Sequence, residues 1–203
     1  MLGGGAHNDE LAGGGGSDGI NGSSGNDSMR GDDGDDRLFG AAGEDTLEGG
    51  EDNDTLGGQG DDDTLEGGTG EDGLNGGGGN DLMDGGADAD RLFGGTGNDT
   101  LNAGAGDDLI TGQAGIDTFV FEANWGNDEL ANYGDVSFGA QRVDETIDLS
   151  ALGITFGDLT IQTNSAGTGT LVFVTADGSA NNSIDILFRP VSEITAADFF
   201  FGP

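Results

Sequence analysis

Aspartate recurs at every ninth position over the first 117 residues of the chain. The column has 13 members without a gap: Asp9, Asp18, Asp27, Asp36, Asp45, Asp54, Asp63, Asp72, Asp81, Asp90, Asp99, Asp108 and Asp117. A fixed short period predicts a repeat architecture, because a unit of this size cannot bury an apolar face alone and must stack on its neighbours.

Two further columns keep the same register. Glycine lies five residues before the aspartate in 12 of the 13 units, and Ala103 is the exception. An apolar residue lies two positions after each aspartate: Leu11, Ile20, Met29, Leu38, Leu47, Leu56, Leu65, Leu74, Met83, Leu92, Leu101, Ile110 and Phe119. The clearest unit is residues 94–102, Gly-Gly-Thr-Gly-Asn-Asp-Thr-Leu-Asn. Its first six residues predict a turn and its last three a short strand with the apolar side chain inward.

The nine-residue half-turn closes a flat coil every 18 residues, and successive coils stack about 4.8 Å apart. The sequence therefore predicts an all-β fold, a parallel β-roll (a β-solenoid) over residues 1–120. Residues 121–203 change character, with apolar alternation that predicts strands near 118–121, 146–149, 159–162, 170–174 and 184–188. Turns at 166–169 and 177–179 predict hairpins. We expect this segment to be a C-terminal β cap that covers the open end of the roll.

The charge balance excludes several functions. The net charge is −35, with 40 acidic residues against 5 arginines, so a phosphate backbone or an anionic membrane surface would be repelled. We therefore expect no nucleic-acid partner, and no apolar run is long enough for a membrane span. With no Cys and a single His, His7, the sequence offers no thiolate site and no catalytic triad. We expect no catalytic residues and no enzyme activity.

The repeats need a cation to fold. Each unit contributes one apolar side chain in nine residues, and stacking the aspartates places like charges above one another. Calcium accepts six to eight oxygen ligands, including carboxylates and backbone carbonyls, whereas magnesium requires strict octahedral geometry and zinc prefers nitrogen and sulfur. The 13 aspartates are thus predicted as calcium ligands. Alternate units stack into columns of seven and six turns, and one ion between each adjacent pair of turns gives up to about 11 sites. Eleven divalent ions carry a charge of +22, which would nearly balance the net charge of −25 on residues 1–120.

Some units depart from the pattern. The second turn glycine is replaced by His7, Asp52, Asp61 and Asp88, and another glycine by Ser23, Asp32, Ala41, Gln59 and Gln113. Aspartate tolerates positive φ better than most residues, so the turns can survive. Residues 57–65 allow two registers, and the slipped one would make Asp62 rather than Asp63 the ligand.

The unit Gly-Gly-x-Gly-x-Asp-x-apolar-x resembles the nonapeptide repeat of the repeats-in-toxin (RTX) family. The resemblance implies a right-handed parallel β-roll that binds calcium between neighbouring turns through aspartates and peptide carbonyls, in secreted bacterial proteins. Residues 117–121, 125–128, 147–150 and 197–201 are similar to the segments that follow the repeats in serralysin-type proteases and mannuronan epimerases. That similarity offers Asp128, Asp144 and Asp148 as ligands for a further ion, or simply as acids of turns and strand edges.

An acidic residue followed by large apolar residues near the C-terminus resembles the uncleaved type I secretion signal of this family. The alternative is that Phe199–Phe201 form a last core strand, and both can hold if the signal is read before folding. The resemblance thus implies an extracellular location and the type I secretion machinery as a partner. Leu2 lies in the apolar column one period before Leu11, so we also expect a domain upstream in the same polypeptide.

Together these features predict a calcium-binding module for folding and type I export. The alternative is a polysaccharide-binding or adhesive appendage of a larger secreted enzyme. That alternative requires a basic or aromatic stripe on the roll. Arg30, Arg37 and Arg91 are few and lie among acids, which disfavours an anionic glycan.

Overall fold

The computed structural model describes residues 1–121 and 126–131, together with 146–148, 159–163, 169–174, 183–187, 196 and 199–200. These residues form two β-sheets with almost no helix, which confirms the predicted β-roll and its C-terminal strands. Strands are numbered in chain order. The first sheet contains, from edge to edge, β1 (Leu2–Gly5), β3 (Gly19–Ser24), β5 (Arg37–Ala42), β7 (Thr55–Gly60), β9 (Gly73–Gly78), β11 (Arg91–Thr96), β13 (Leu109–Ala114), β15 (Asn127–Leu130), β19 (Ser183–Leu187), β18 (Gly169–Val174) and β17 (Leu159–Thr163).

The second sheet is built from the alternate strands of the roll. It contains β2 (Glu10–Gly15), β4 (Ser28–Asp33), β6 (Thr46–Glu51), β8 (Thr64–Thr69), β10 (Leu82–Ala87), β12 (Thr100–Ala105), β14 (Thr118–Val120), β16 (Thr146–Asp148) and β20 (Phe199–Phe200). The chain crosses from one sheet to the other after every strand of the repeats. Each coil therefore consists of one strand from each sheet.

Each strand from β1 to β12 pairs in parallel with the strand 18 residues later. Leu38 pairs with Leu56 in the first sheet, and Leu47 pairs with Leu65 in the second. This register confirms the predicted coil of 18 residues and gives a solenoid of about seven coils. Within the described ranges, no helix has the length and apolar character needed to span a bilayer.

The strands are longer than the sequence predicted. β6 runs over six residues, so the strand includes the first three residues of the next unit, and the turn is correspondingly shorter. The first glycine of the unit, Gly49, faces inward beside Leu47. A Cβ on Gly49 would overlap the carboxylate of Asp54, so a side chain at this position would require the carboxylate to shift.

Two apolar columns fill the space between the sheets. Ile20 and each later member of the predicted column through Phe119 are buried, and Leu2 and Leu11 at the first coil are half-buried. The columns continue past the repeats. Leu130 is the strand partner of Ile110, and Ile147 is the strand partner of Phe119. The core is thus one side chain wide on each sheet along the whole solenoid.

Among the residues that the structure describes, eight other than glycine adopt positive φ, and all eight lie at the departures noted in the sequence. They are Ser23, Asp32, Ala41, Asp52, Gln59, Asp61, Asp88 and Gln113, with φ between 69 and 86°. These turns keep the geometry of the glycine turns, so the substitutions leave the register of the coils unchanged.

The C-terminal strands extend both sheets of the roll. β16 pairs in parallel with β14, and β20 pairs in parallel with β16. In the first sheet β19 pairs in parallel with β15, while β18 and β17 follow in antiparallel pairing. The predicted strands are confirmed to within a residue or two, and Phe199–Phe200 do form a strand.

Parts of the C-terminal predictions lie outside the described residues. They concern Trp125, Asp144, residues 149–150, most of the two hairpin turns, and Ala197, Asp198 and Phe201. Each sheet contains strands from before and from after residue 120. The division of the chain into two domains at that residue stays a prediction.

Candidate metal centre

The aspartates of the repeats form a ladder inside the roll. The backbone N–H of each aspartate donates to Oδ1 of the aspartate one coil later; Asp27 N, for example, lies 2.7 Å from Asp45 Oδ1. The same residue's carbonyl accepts from the backbone of the next coil, since Thr46 N lies 2.8 Å from Asp27 O. We call these rows of aspartates the inner ladders. They hold each turn in register with the next.

There are two inner ladders, one along each side of the roll. The first joins Asp9, Asp27, Asp45, Asp63, Asp81, Asp99 and Asp117. The second joins Asp18, Asp36, Asp54, Asp72, Asp90, Asp108 and Asp128. All 13 predicted ligands therefore come together in two stacked rows, and Asp128 joins them as an additional member.

In 13 of the 14 inner-ladder aspartates, all but Asp18, the second carboxyl oxygen is buried and has no hydrogen-bond partner. This holds for Oδ2 of Asp9, Asp27, Asp36, Asp45, Asp54, Asp63, Asp72, Asp81, Asp90, Asp99, Asp108, Asp117 and Asp128. From Asp27 onward these side chains are at most 3 % exposed. Burying an ionised oxygen without a partner is strongly unfavourable, so each of these atoms requires either a proton or a cation.

Carbonyl oxygens lie close to these unpartnered atoms. A Cβ built on Gly67 would be 2.5 Å from Asp72 Oδ2 and 2.5 Å from the carbonyl oxygen of Gly85 in the next coil. The arrangement recurs around Gly4, where the corresponding distances to Asp9 Oδ2 and the Gly22 carbonyl oxygen are 2.7 and 2.9 Å. Glycine at this position thus leaves a space bordered by a carboxylate oxygen and a peptide oxygen.

This donor set suits calcium. Among the described residues no group of three or more His, Cys, Asp or Glu side chains is arranged around one point. An ion in the turns would therefore take its ligands from stacked aspartates and from backbone carbonyls. Calcium accepts that mixture in a tolerant geometry, whereas zinc would require nitrogen or sulfur ligands.

Burial raises the pKa of Asp54, Asp63 and Asp90 in the inner ladders, and neighbouring carboxylates add to the effect. The pKa is raised to about 6 for Asp54, to about 7 for Asp63 and to about 8 for Asp90. The hydrogen bond from the backbone of the preceding coil opposes the shift in each case. Each of these carboxyl groups keeps its proton to a higher pH than an exposed aspartate does, because the ionised form would be desolvated beside like charges.

The uncertain register at residues 57–65 is resolved in favour of the nine-residue period. Asp63 is 2 % exposed and accepts from Asp45 N at 2.8 Å, and every inner-ladder aspartate from Asp27 onward accepts in the same way. Asp62 is exposed, and its Oδ1 accepts from Asn80 N at 2.7 Å. Asp62 therefore belongs to a different row of side chains.

That second row, here called the outer ladder, was missed by the sequence reasoning. It is formed by eight Asn and Asp residues that directly precede an inner-ladder aspartate, and the Oδ1 of each accepts a hydrogen bond from the backbone one coil later. The acceptors are Asn8, Asn26, Asp35, Asn53, Asp62, Asn80, Asn98 and Asp107. The recurrence of Asn or Asp at this position, which was visible in the sequence, is the signal that would have revealed it.

Of the three acids suggested for a further ion, only Asp128 is in a position that the structure describes in full. It occupies the last place of the second inner ladder and is 2 % exposed. Asp148 lies on β16, and Asp144 is outside the described residues.

The raised pKa values predict how the metal-free fold depends on pH. The carboxyl groups of Asp54, Asp63 and Asp90 have pKa values above their ordinary value of 3.8 in the folded chain, so acidification favours the fold. That contribution is fully present below about pH 4 and is lost as the pH rises through about 6 to 8. In the presence of a chelator, far-UV circular dichroism should show more β-structure at pH 5 than at pH 8. Equal β-content at both pH values would contradict the protonated ladder.

A comparison with protein families agrees with this geometry. Residues 4–20, 21–56, 57–92 and 84–119 match the RTX calcium-binding nonapeptide repeat in four copies, which together span more than half of the chain. No curated protein matches the chain. The matched residues contain every inner-ladder aspartate except Asp128. The chain therefore belongs to the family of RTX calcium-binding nonapeptide repeat proteins.

Proposed function

We propose that this chain is a calcium-driven folding and type I export module of a secreted bacterial protein, and not an enzyme. The observation that carries the proposal is the pair of inner ladders, whose buried Oδ2 atoms have no hydrogen-bond partner. Ionised at neutral pH, these carboxylates would oppose the fold, and bound to calcium they would hold it together. The cation therefore decides whether the coils form.

Because folding is coupled to calcium binding, the calcium concentration decides in which compartment the chain folds. Where calcium is scarce, mutual repulsion among the 40 acidic residues favours an extended chain, which can thread through a channel. Extracellular calcium modules have dissociation constants of about 10⁻⁴–10⁻³ M, so binding occurs mainly after export. Since binding free energy becomes folding free energy, the chain folds outside and cannot slide back.

The calcium switch is tested by titrating the purified chain at pH 7.5 while following far-UV circular dichroism and the fluorescence of Trp125, the single tryptophan. We expect a cooperative transition from coil to β-structure with calcium and none with magnesium at the same concentration. A chain that is already folded in chelator would overturn the switch.

The same titration distinguishes an inner-ladder ligand from its neighbour. Asp63→Asn removes a buried carboxylate of the inner ladder, and we expect the calcium midpoint to rise roughly tenfold, which corresponds to about 1.4 kcal/mol. Asp62→Asn removes the same charge from an exposed side chain that can still accept a hydrogen bond, and we expect a change of less than about twofold. Equal effects would argue against Asp63 as a ligand.

The export role concerns the C-terminal end of the chain. The sequence from Ala197 to Phe201 resembles a type I secretion signal, and Phe199–Phe200 also pair with β16 in the folded chain. The two roles are compatible, because export precedes calcium-driven folding. In a bacterium that carries a type I exporter, deleting residues 197–203 should lower the secreted amount at least tenfold. Asp62→Asn should be secreted at the wild-type level, and undiminished secretion of the deleted chain would exclude the signal.

A second candidate function, binding of an uncharged polysaccharide, is favoured by a cleft on the outer face of the first sheet. The cleft has a volume of about 460 Å³, within the range of ligand sites, and Phe39 and Phe93 stand at its two ends. The phenyl ring of Phe39 extends over Gly57, where a Cβ would be 3.1 Å from Phe39 Cδ1. Three coils separate the two rings, a span of about 14 Å, and the Asn75 amide lies between them. Aromatic faces with an amide between them offer stacking and hydrogen bonding to a neutral sugar chain.

Calorimetry with neutral oligosaccharides in saturating calcium tests this second candidate. We expect Phe39→Ala and Phe93→Ala each to weaken binding at least tenfold. Leu82→Ala is the matched control, since Leu82 is an exposed apolar residue, 52 % accessible, on the other sheet. If no neutral oligosaccharide gives a heat of binding, the cleft does not bind uncharged polysaccharides.

A further inference from the structure

The strands of the two sheets carry opposite charge. In the first sheet, the seven strands from β1 to β13 contain two arginines, Arg37 and Arg91, and no Asp or Glu. In the second sheet, the strands from β2 to β12 contain Arg30 and seven acids, which are Glu10, Asp32, Asp33, Glu48, Glu51, Glu66 and Asp84. The strand residues thus carry +2 on one sheet and −6 on the other. In a chain with 40 acidic residues, a sheet without any is a distinct surface.

The arginines of the first sheet stand beside the cleft between Phe39 and Phe93. Arg37 and Arg91 are exposed, and neither forms an ion pair with a carboxylate of the described residues. On β5 and on β11 the arginine precedes the phenylalanine by two residues, so both side chains face outward. The strand partners between the two pairs have no bulky apolar side chain; they are Thr55, Gly57, Gly73 and Asn75.

The outer face of the second sheet has the complementary groups. Leu82 is 52 % exposed, and Asp84, two residues later on β10, also faces outward. Asp84 continues an outward column of acids through Glu66 and Glu48 on the adjacent strands. Both sheets repeat about every 4.8 Å along the roll, so the side-chain columns of one face match those of the other in spacing.

From this geometry we infer that the second sheet of one copy docks on the first sheet of another copy, with Leu82 in the cleft. The chain reverses direction at each turn, so the strands of the two sheets run in opposite directions. When two copies stack in the same orientation, placing Leu82 over the phenylalanine column therefore places Asp84 over the arginine column. Asp84 then lies between Arg37 and Arg91, and the apolar contact and the charge contact form together.

The faces are large enough for a specific contact of low affinity. Seven strands about 4.8 Å apart, most of them six residues long, give a face of about 29 by 20 Å, or roughly 600 Å² per copy. The total of about 1,200 Å² is at the lower end of the range for specific interfaces. Because the contact joins two different faces, each pair of copies keeps one free face of each kind, and further copies extend an open row.

The contact rests on the proposed calcium-driven folding, because calcium both forms the faces and lowers the repulsion between copies. With about 11 calcium ions bound, the net charge falls from −35 to about −13. At physiological ionic strength the remaining charges are screened beyond about 8 Å, whereas the facing carboxylates and guanidinium groups are closer. Folded copies can therefore approach each other face to face.

Sedimentation velocity of the full chain in saturating calcium tests the inference. We expect the sedimentation coefficient of the wild-type chain to rise with protein concentration between about 10⁻⁵ and 10⁻³ M, as for an interface of this size. Arg37→Glu with Arg91→Glu, and separately Glu66→Arg with Asp84→Arg, should each weaken the association at least tenfold.

Mixing the two double variants identifies the faces. The arginine variant keeps an intact second-sheet face, and the acid variant keeps an intact first-sheet face. An equimolar mixture should therefore associate although each variant alone does not. A contact between two identical faces would instead leave one of the variants associating alone, which would contradict the inference.

Glu44→Arg with Glu71→Arg is the matched control. Both residues are exposed and lie in turns, and the double substitution changes the net charge as much as Glu66→Arg with Asp84→Arg does. The control should associate like the wild type. Leu82→Ala should weaken the association while leaving the cleft itself intact, which separates self-association from oligosaccharide binding.

Each outcome decides the inference. A wild-type chain that stays monomeric, a control that loses association, or a mixture that does not associate overturns it and leaves the cleft to the polysaccharide. If a double variant does not reach the wild-type circular dichroism spectrum in calcium, the salt dependence of the wild type decides: association that weakens as sodium chloride rises supports the inference, and association that does not weaken overturns it. A roll already folded in chelator would refute the calcium switch, and the association is still measured on the same chain.

Discussion

The stacking of aspartates along the two inner ladders is the constraint on which the rest of the structure depends. Every coil must place a carboxyl group directly above that of the coil before, because the backbone hydrogen bonds to Oδ1 set the register of the turns. Two charges about 5 Å apart repel by about 3 kcal/mol at an effective dielectric constant of about 20. Summed over the adjacent pairs of both ladders, this repulsion would exceed the whole stability of an ordinary domain, which is about 5–15 kcal/mol. The fold is therefore conditional on neutralisation by protons or cations.

The thin core makes that condition strict. One apolar side chain per unit, such as Leu47 or Leu65, contributes about 1.5–3 kcal/mol when it is buried. Ordering the other eight residues of the unit, several of them glycine, costs more than this in conformational entropy. Glycine cannot be replaced freely to reduce that cost, because the inward-facing glycine leaves the space beside the carboxylate. A chain of this kind therefore has little stability of its own until its ladder carboxyl groups are neutralised.

The ladders also explain how the repeats are joined to a C-terminal region of different sequence. The apolar columns run from the nonapeptides into Leu130 and Ile147, and the second inner ladder runs on to Asp128. More residues separate these strands along the chain than separate the strands of the repeats, and the sheets nevertheless keep their parallel register. The end of the roll is then covered by further strands of the same two sheets, and β18 and β17 change to antiparallel pairing.

The sequence by itself determined the period, the coil of 18 residues, the buried apolar column and the row of aspartates, because strict repetition converts spacing along the chain directly into stacking in space. It also located the C-terminal strands through their apolar alternation. Tertiary structure alone decided the true strand length, the register at Asp63, the outer ladder and the place of Asp128. These features depend on which atoms meet between coils: a glycine that passes a carboxylate, an Asn or Asp oxygen that reaches the next turn, and a 20-residue coil that keeps its turn aligned although the nine-residue count is broken. Such contacts join atoms of different coils, and the spacing of residues along the chain does not specify which atoms meet.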